Sequence, residues 1–324
     1  MSAYSRLSTA LTEGALSLPD GPVCLMRPPL DYDVNDLPQD RVTIQHTFKP
    51  DAAGWSNAGY PVTAVFSEAE TAIVVVPRSK ALAKSMIAEA ASRAKLIVVD
   101  GNKTDGIDSL FKACRKILGD LPSITKNHGR IFWFEATDAF ADWAAPAPAK
   151  GEHGYVTTAG VFSDGAVDAG SELLVANLPP KLPAHMADLG AGWGYLAGPV
   201  LQRDGVQTLD LIEAEALSLD CARQNVSDDR VNFLWEDATT YRPEKSYAGI
   251  IMNPPFHVGR NADPSLGRAF IASAAKMLAG HGKLWMVANR HLPYEQALSD
   301  AFRNVEKIAQ NNAFKVFHAT RPLR

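Results

Sequence analysis

The chain has 324 residues, 46% of them hydrophobic and 21% charged, with 36 acidic and 32 basic side chains and a formal net charge of -4. This balance is typical of a globular protein and excludes a disordered chain, a collagen-like repeat and a disulfide-rich scaffold, while the length predicts two domains. No apolar run approaches the roughly 18–20 residues that cross a bilayer and no secretory signal opens the sequence, so we expect a cytoplasmic protein without a membrane partner.

The first half of the chain predicts alternating strands and helices, the pattern of a parallel α/β sheet. The predicted strands are 72–76, 96–100 and 131–134, and the predicted helices are 79–94 and 107–118. No glycine-rich turn follows any of these strands. We therefore interpret residues 1–145 as a Rossmann-like domain without a cofactor loop.

A stretch rich in alanine, proline and glycine at 139–154 predicts a linker, and a second α/β domain is expected over 155–324. Its predicted strands are 185–189, 208–213, 231–234, 249–252, 283–288 and 313–319. Two α/β halves of similar length suggest a duplication. The three cysteines, Cys24, Cys114 and Cys221, lie far apart, which predicts a reducing compartment without a disulfide framework or a cysteine zinc site.

The sharpest motif is a glycine loop that follows the strand predicted at 185–189. Gly190, Gly192 and Gly194 alternate with other residues, Asp188 precedes them, and a helix is predicted over 195–203. Glycines at such a turn allow a positive φ and a close approach of the backbone to a ligand. A dinucleotide fingerprint needs a glycine at the position of Tyr195, so the spacing is GxGxG.

Acidic residues end the next two predicted strands. Glu213 lies 23 residues after Gly190, the usual distance for a carboxylate that accepts hydrogen bonds from ribose hydroxyls. Glu215 is the alternative at that position. Asp237 and Ala238 follow the third strand. We expect these residues to line the same cofactor site as the glycine loop.

A proline-rich turn, Asn253-Pro254-Pro255-Phe256, ends the fourth predicted strand, where open α/β sheets bind ligands. The asparagine oxygen and nearby carbonyls can accept both hydrogens of an exocyclic amine and direct its nitrogen at a methyl donor. Phe256 can stack on a flat base or amide. This is catalysis by positioning and electrostatics, without a strong general base.

Together these motifs resemble class I S-adenosylmethionine-dependent methyltransferases. The glycine loop after Asp188 resembles their motif I, and the turn at Asn253 resembles the (N/D)PP(Y/F) motif of enzymes that methylate planar amino groups. With the segments 160–163, 168–174 and 286–294, the sequence resembles the ribosomal RNA guanine-N2 methyltransferases, specifically the small-subunit methyltransferase C type and its large-subunit relative. The resemblance implies two tandem methyltransferase-like domains, the first degenerate.

The resemblance also implies S-adenosylmethionine as cofactor and the N2 amine of a guanine in 16S ribosomal RNA as substrate. An acid at the place of Asp237 commonly faces the adenine amino group in this family. Asn253 then belongs to both the cofactor and the catalytic sets. Methylation of 23S ribosomal RNA, adenine N6 or a protein glutamine, and a non-enzymatic binding protein, remain as alternatives.

The distribution of charge supports an RNA partner although the total is acidic. Residues 151–253 carry 15 acidic and 6 basic side chains, whereas residues 254–324 carry 4 acidic and 10 basic ones. A local positive region can face phosphates even on a chain of negative net charge. We expect His257, Arg260 and Arg290 to contact the RNA around a flipped guanine, in a monomer that binds no metal.

Overall fold

The computed structural model describes residues 5–146, 149–151, 153–161, 167–255, 257–258, 261–262 and 264–323. The chain divides into two compact units, Met1–Ala147 and Pro148–Arg324, which we call the N-terminal and the C-terminal unit. Within the described ranges, each unit contains one seven-stranded sheet covered by helices. The α/β class and the two tandem domains predicted from the sequence are confirmed.

The N-terminal unit has the sheet order β3-β2-β1-β4-β5-β7-β6. Its strands are β1 (Val23–Met26), β2 (Val42–Gln45), β3 (Val62–Thr63), β4 (Thr71–Val75), β5 (Leu96–Asn102), β6 (Ser123–Lys126) and β7 (Gly129–Glu135). Its helices are α1 (Arg6–Thr12), α2 (Lys49–Asn57), α3 (Lys80–Arg93) and α4 (Ile107–Leu118), with short 3-10 turns at Gln39–Arg41, Lys103–Asp105 and Asp138–Trp143. Strands β1 to β5 run parallel, and β7 runs antiparallel to both of its neighbours.

Local sequence explains where the two long helices of this unit lie. Ser79 caps α3 by accepting a hydrogen bond from the Leu82 amide, and α4 starts after Gly106 and ends before Gly119, both with positive φ. Helix α4 buries Ile107, Leu110, Phe111 and Cys114 against the sheet. The apolar spacing therefore predicted the bounds of α4 correctly and those of α3 to within one residue.

The linker expected at 139–154 starts too early. The 3-10 turn Asp138–Trp143 belongs to the N-terminal core, because Phe140 is only 1% exposed and its ring lies 5.3 Å from that of Phe134 and 4.7 Å from that of Trp143. Two aromatic residues three positions apart are enough to fix a single turn on the core. Their burial overrides the alanine-rich composition around them.

The C-terminal unit has the sheet order β12-β11-β10-β13-β16-β18-β17. Its strands are β8 (Ala149–Lys150), β9 (Val156–Thr157), β10 (His185–Leu189), β11 (Thr208–Glu213), β12 (Val231–Trp235), β13 (Tyr247–Met252), β14 (His257–Val258), β15 (Asn261–Ala262), β16 (Leu278–Asn289), β17 (Phe302–Gln310) and β18 (Phe314–Pro322). Its helices are α5 (Ala169–Ala176), α6 (Ala197–Leu201), α7 (Ala216–Asn225), α8 (Pro264–Met277) and α9 (Glu295–Ala301). β8 pairs with β9 and β14 with β15, outside the main sheet.

The two sheets have the same topology. Counted along each unit's own main sheet, both have the strand order 3-2-1-4-5-7-6, with the first five strands parallel and the seventh antiparallel to both of its neighbours. The order reverses between the first and the fourth strand, which in the C-terminal unit are β10 and β13. Open α/β sheets bind ligands at such a switch point, outside the carboxyl ends of the strands.

A glycine of α8 allows the close packing of this helix on the C-terminal core. A Cβ atom at Gly267 would collide with the phenol ring of Tyr294, which is fully buried. We expect Gly267→Ala to lower the free energy of unfolding of the C-terminal unit by about 1–3 kcal/mol, the usual cost of overpacking. Urea unfolding measures the change, with Gly280→Ala as the matched control, because no atom lies within 4 Å of the Cβ position there. Equal losses in both variants would contradict the packing role.

The described residues contain no membrane-spanning helix, no metal-binding cluster and no disulfide bond. No described helix is long and apolar enough to span a membrane. Within the same residues, no group of three or more His, Cys, Asp or Glu side chains is arranged to hold a metal ion. Cys24, Cys114 and Cys221 are buried and form no disulfide bond with one another.

Candidate active site

The glycine loop and the Asn-Pro-Pro turn lie side by side at the switch point of the C-terminal sheet. Strands β10 and β13 pair in parallel with Leu189 opposite Met252, so Gly190 and Asn253 leave the sheet at the same edge. A Cβ atom at Gly190 would lie 3.9 Å from the ring of Pro255, which shows how closely the two turns approach. The two motifs are thus close in space although about 60 residues separate them in the sequence.

Two glycines of the loop are required for different reasons. Gly192 has a φ of 56°, and a Cβ atom there would meet no atom within 4 Å, so its backbone faces open space where a ligand can approach. Gly194 has a φ of 88°, and a Cβ atom there would lie 3.0 Å from Val226 and 3.2 Å from Ala222. Gly192 therefore leaves the loop open to a ligand. Gly194 lets the loop pack on helix α7 and on Val226, which follows that helix.

The ring of Trp193 points away from the open side of the loop. It is 5% exposed and packs with Tyr155 at a ring distance of 4.7 Å and with Tyr195 at 5.7 Å. The Asn225 side chain donates to the carbonyl oxygens of Trp193 and Val156, which fixes the backbone of the loop. Trp193 thus packs against the side of the loop opposite the open space at Gly192 and leaves the glycines accessible.

Asp188 is the most unusual ionisable group of the site. Its side chain is fully buried at the end of β10, and neither carboxylate oxygen has a hydrogen-bond partner among the described residues. Burial, followed by repulsion from the Glu213 carboxylate, raises the pKa of Asp188 to about 8. A buried carboxyl group without a partner is costly to the fold, so a cationic or hydrogen-bonding ligand is the natural partner for it.

Glu213 joins the end of β11 to the glycine loop. Its carboxylate accepts hydrogen bonds from the Gly192 amide and from the Glu215 amide, both at 2.8 Å. Burial raises the pKa of Glu213, and these backbone donors partly oppose that rise. Each carboxylate oxygen retains a second lone pair for a hydroxyl donor. Glu215, the alternative at this position, caps helix α7 by accepting from the Leu217 amide.

Asp237 and Ala238 follow β12 at the same edge of the sheet. Asp237 accepts hydrogen bonds from the amide and the hydroxyl of Thr239, which close a tight turn. Ala238 is 2% exposed and belongs to the same core cluster as Met252. Both of these hydrogen bonds from Thr239 go to Asp237 Oδ1, so Oδ2 keeps its lone pairs for a further donor.

Asn253 has a fixed side-chain orientation. Its Nδ2 donates to Asp168 Oδ2 at 2.8 Å and to Ser171 Oγ at 2.9 Å. A carboxylate oxygen can only accept hydrogen bonds, so the contact with Asp168 identifies which end of the amide is NH2. The amide oxygen consequently points to the opposite side, away from the start of helix α5, and acts as an acceptor.

The structure describes only some of the remaining residues predicted for the site. Pro254 is buried and Pro255 is exposed. Phe256, Arg260 and the side chain of His257 lie outside the described residues. Arg290 is exposed directly after β16, and with Asn289, His291, Asn312 and Ala313 it lines a shallow cavity of about 400 Å³. Strand β16 adjoins β13, so Arg290 leaves the same edge as Asn253.

The matching edge of the N-terminal unit has different residues at the corresponding positions. The pairing of Met26 with Val74 corresponds to that of Leu189 with Met252, which places Arg27 at the position of Gly190 and Val75 at the position of Asn253. Arg27 keeps the left-handed backbone with a φ of 53° but carries a long side chain. This edge has neither a glycine loop nor an amide acceptor at these positions.

An internal ion pair crosses that edge of the N-terminal unit. A cavity of about 1040 Å³ lies there, and Arg6 and Asp100 are among its lining residues. Arg6 Nε lies 2.6 Å from Asp100 Oδ1, and the Tyr32 hydroxyl donates to Asp100 Oδ2 at 2.9 Å. The buried acid of this unit is thus satisfied by its own side chains, in contrast to Asp188.

Sequence reasoning missed Asp168 and Ser171 as site residues. Asp168 is the N-cap of α5 and accepts from the Ser171 amide, a local pattern that the sequence can indicate. The contact of both residues with Asn253, more than 80 positions later, depends on the packing of α5 against the carboxyl edge of the sheet. Nothing in the local sequence predicts it.

Known proteins similar to this chain are consistent with the geometry. The sequence model of the family described as Methyltransferase small domain matches residues 152–318. The ribosomal RNA small subunit methyltransferase C of Shewanella halifaxensis is 32% identical over 263 residues, which cover 76% of each chain. The protein of the same name from Psychromonas ingrahamii is 37% identical over 158 residues, 48% of this chain and 45% of that one.

A solved structure shares the fold of both units. The T. thermophilus 16S rRNA N2 methyltransferase in complex with AdoMet and guanosine aligns with a TM-score of 0.75, covering 95% of this chain and 90% of that chain. The sequences are 22% identical. At this identity the likeness establishes the architecture.

Proposed function

The chain belongs to the ribosomal RNA small subunit methyltransferase C family, and we propose that it transfers a methyl group from S-adenosylmethionine to the N2 amine of a guanine in 16S ribosomal RNA. The observation that carries this proposal is the pairing of an accessible glycine loop with an oriented Asn253 at one switch point. The relatives' name supports the small-subunit RNA, and the N2 amine of guanine follows from the resemblance at Asn253-Pro254-Pro255-Phe256.

The residues of the crevice fit S-adenosylmethionine. Asp188 offers a buried carboxyl group without a partner in the described residues, which suits the cationic amino-acid end of the cofactor. Gly190, Gly192 and Gly194 allow the backbone to lie against it, and Glu213 offers lone pairs to the ribose hydroxyls. When bound, S-adenosylmethionine supplies an electrophilic methyl group.

Asn253 directs the amine. Its Oδ1 accepts an N–H of the exocyclic group, and the neighbouring backbone carbonyl at Pro254 is suited to accept the other, so that the lone pair points to the methyl donor. The amine gains positive charge as it is methylated and then releases a proton to water. Acceptor oxygens stabilise that charge, so no side chain is required as a strong base.

We propose that residues 155–324 form the catalytic domain and residues 1–145 a degenerate copy. Arg27 and Val75 at the positions of Gly190 and Asn253 support this assignment. We further propose a cytoplasmic monomer, since ribosomal RNA is in the cytoplasm and all candidate site residues belong to one unit of one chain. The buried, unpaired cysteines agree with a reducing compartment.

Transfer of tritiated methyl groups tests the substrate class. Ribosomal subunits and free ribosomal RNAs, prepared from cells that lack this protein, are incubated with the purified protein and labelled S-adenosylmethionine. We expect label in 16S ribosomal RNA alone. Label in 23S ribosomal RNA or in a ribosomal protein would replace the proposed substrate by one of the alternatives.

The positive charge after the Asn-Pro-Pro turn gives a second prediction. Arg260→Ala combined with Arg290→Ala removes two charges that we expect to face phosphates, so RNA affinity falls and the slope of log K against log salt decreases by about 2. The affinity for S-adenosylmethionine stays unchanged. Filter binding at several salt concentrations measures the effect, with Arg303→Ala plus Lys307→Ala on β17 as the matched control. Unchanged RNA affinity and turnover in the first variant would refute the contacts.

A further inference from the structure

We propose that Asp168 and Ser171 are positioning residues that fix and polarise the Asn253 amide for its reaction. The inference rests on the proposed function, because it assigns Asn253 Oδ1 as the acceptor for the substrate amine. Both residues are at the start of α5, and neither belongs to the cofactor or catalytic motifs. Their contact with Asn253 is the observation that carries the inference.

The two contacts use the full donor capacity of the asparagine. A primary amide has two N–H donors, and here one is directed at Asp168 and the other at Ser171. A rotation of the amide by 180° would place its oxygen against the Asp168 carboxylate, where two acceptors repel each other. The pair thus selects one of the two rotamers that an isolated asparagine adopts equally well.

The start of α5 is held in place by its own helix cap. Asp168 Oδ2 accepts from the Ser171 amide at 2.9 Å and from Asn253 at 2.8 Å, so the same oxygen both caps the helix and holds the amide. Ser171 is 7% exposed. A Cβ atom at Gly170 would lie 2.9 Å from Asp168 Oδ2 and 3.0 Å from the Phe314 ring, so the glycine leaves the space that the carboxylate occupies.

The charge of Asp168 adds an electronic effect to the geometric one. A hydrogen bond from an amide N–H to a carboxylate is charge-assisted and polarises the amide, which increases the negative charge on its oxygen. A stronger acceptor at Oδ1 stabilises the positive charge that develops on the methylated amine. The negative charge of Asp168 therefore acts on the substrate through Asn253, without direct contact.

Asp168→Asn separates this role from helix capping, since asparagine caps helices as well as aspartate does. We expect its kcat for methyl transfer to small ribosomal subunits to fall by about 10- to 100-fold, less than the roughly 10²- to 10³-fold loss for a direct electrostatic contact, because Asp168 acts through Asn253. The KM for the ribosomal subunits changes less than threefold. The Kd for S-adenosylmethionine, measured by calorimetry, also changes less than threefold. Ser171→Ala lowers kcat less, and Ser171→Thr, which keeps the hydroxyl, restores it.

Ser79→Ala is the matched control for loss of a cap. Ser79 accepts from the third amide of α3 just as Asp168 does in α5. We expect Ser79→Ala to cost stability without lowering kcat. An Asp168→Asn variant with unchanged kcat, or one that loses cofactor binding in proportion, would overturn the positioning role.

The side-chain NH2 resonances of Asn253 test the contact without any substrate. They are assigned by their absence from the spectrum of Asn253→Ala, and in Asp168→Asn we expect them to shift and to exchange with solvent about tenfold faster. Resonances unaffected by Asp168→Asn would overturn the inference. If the wild type transferred no methyl group to ribosomal RNA while these resonances responded, the proposed substrate would fail and the link between Asp168 and Asn253 would stand.

Discussion

Replacement of Asn253 by alanine is expected to lower the rate of methyl transfer by about 10²- to 10³-fold, the effect of removing one preorganised electrostatic contact. The side chain is held by two hydrogen bonds that leave its oxygen as the acceptor for the substrate amine. Alanine removes that acceptor and leaves the glycine loop intact. Single-turnover transfer to small ribosomal subunits measures the loss.

Cofactor binding provides the control for Asn253→Ala. We expect the Kd for S-adenosylmethionine to change less than threefold, because Asp188, the loop glycines and Glu213 are unaltered. Asn177→Ala, which alters an asparagine at the other end of α5, should retain full activity. Turnover of Asn253→Ala at a tenth of the wild-type rate or more would refute the role of this residue.

Asp188→Asn should make the protein without cofactor more stable and, at the same time, poorly able to bind the cofactor. Because the pKa of Asp188 is raised in the folded state, the folded protein prefers its protonated form. The wild type therefore loses stability as the pH rises from about 4 to about 8, by at most about 1.4 kcal/mol per pH unit from this group. Asparagine does not ionise, so its stability advantage grows over this range and becomes constant above it.

Urea unfolding at pH 5, 6, 7 and 8 measures the difference in unfolding free energy between Asp188→Asn and the wild type. We expect this difference to increase with pH. Asp300→Asn, an exposed residue, should show no such trend. For the cofactor we expect the Kd of Asp188→Asn to rise by about 10- to 100-fold, as on loss of a charged hydrogen bond. A stability difference that shrinks with pH, or a wild-type Kd in the variant, would contradict this role.

Much of the fold followed from local patterns, and the errors have local causes. The bounds of β10, β11 and α4 agree with the predictions because each has a clear apolar period and a definite end. The sequence does not predict strands β1 and β2, because each has only four residues and β2 alternates apolar with polar ones, which is too short a pattern to distinguish from other segments. Strand β17 was missed because it carries charged residues on an exposed edge.

Other differences come from tertiary packing. The run at 131–134 was assigned to a parallel sheet, but β7 is antiparallel to β5, and no feature of a single strand specifies its direction. The helix expected at 195–203 is shorter, at Ala197–Leu201, because the loop through Gly194 continues into its first turn. Strand β16 begins at Leu278, five residues before the predicted start.

Some features of the candidate site were predictable from local sequence, and others depend on tertiary packing. The glycine loop, Glu213 and the turn at Asn253 were recognisable because each ends a strand and has an unusual local composition. The sequence did not reveal that Asp188 has no partner in the described structure, nor that Asp168 holds Asn253. Both depend on which strand ends and helix termini meet, which only the assembled sheet determines.

Identification of the methylated nucleoside tests the central claim most directly. Small ribosomal subunits from cells that lack this protein are methylated by the purified wild type or by Asn253→Ala, and their RNA is digested to nucleosides for mass spectrometry. The wild type should produce N2-methylguanosine, and Asn253→Ala should produce almost none. N6-methyladenosine in the RNA, or methylglutamine in a ribosomal protein, would contradict the account.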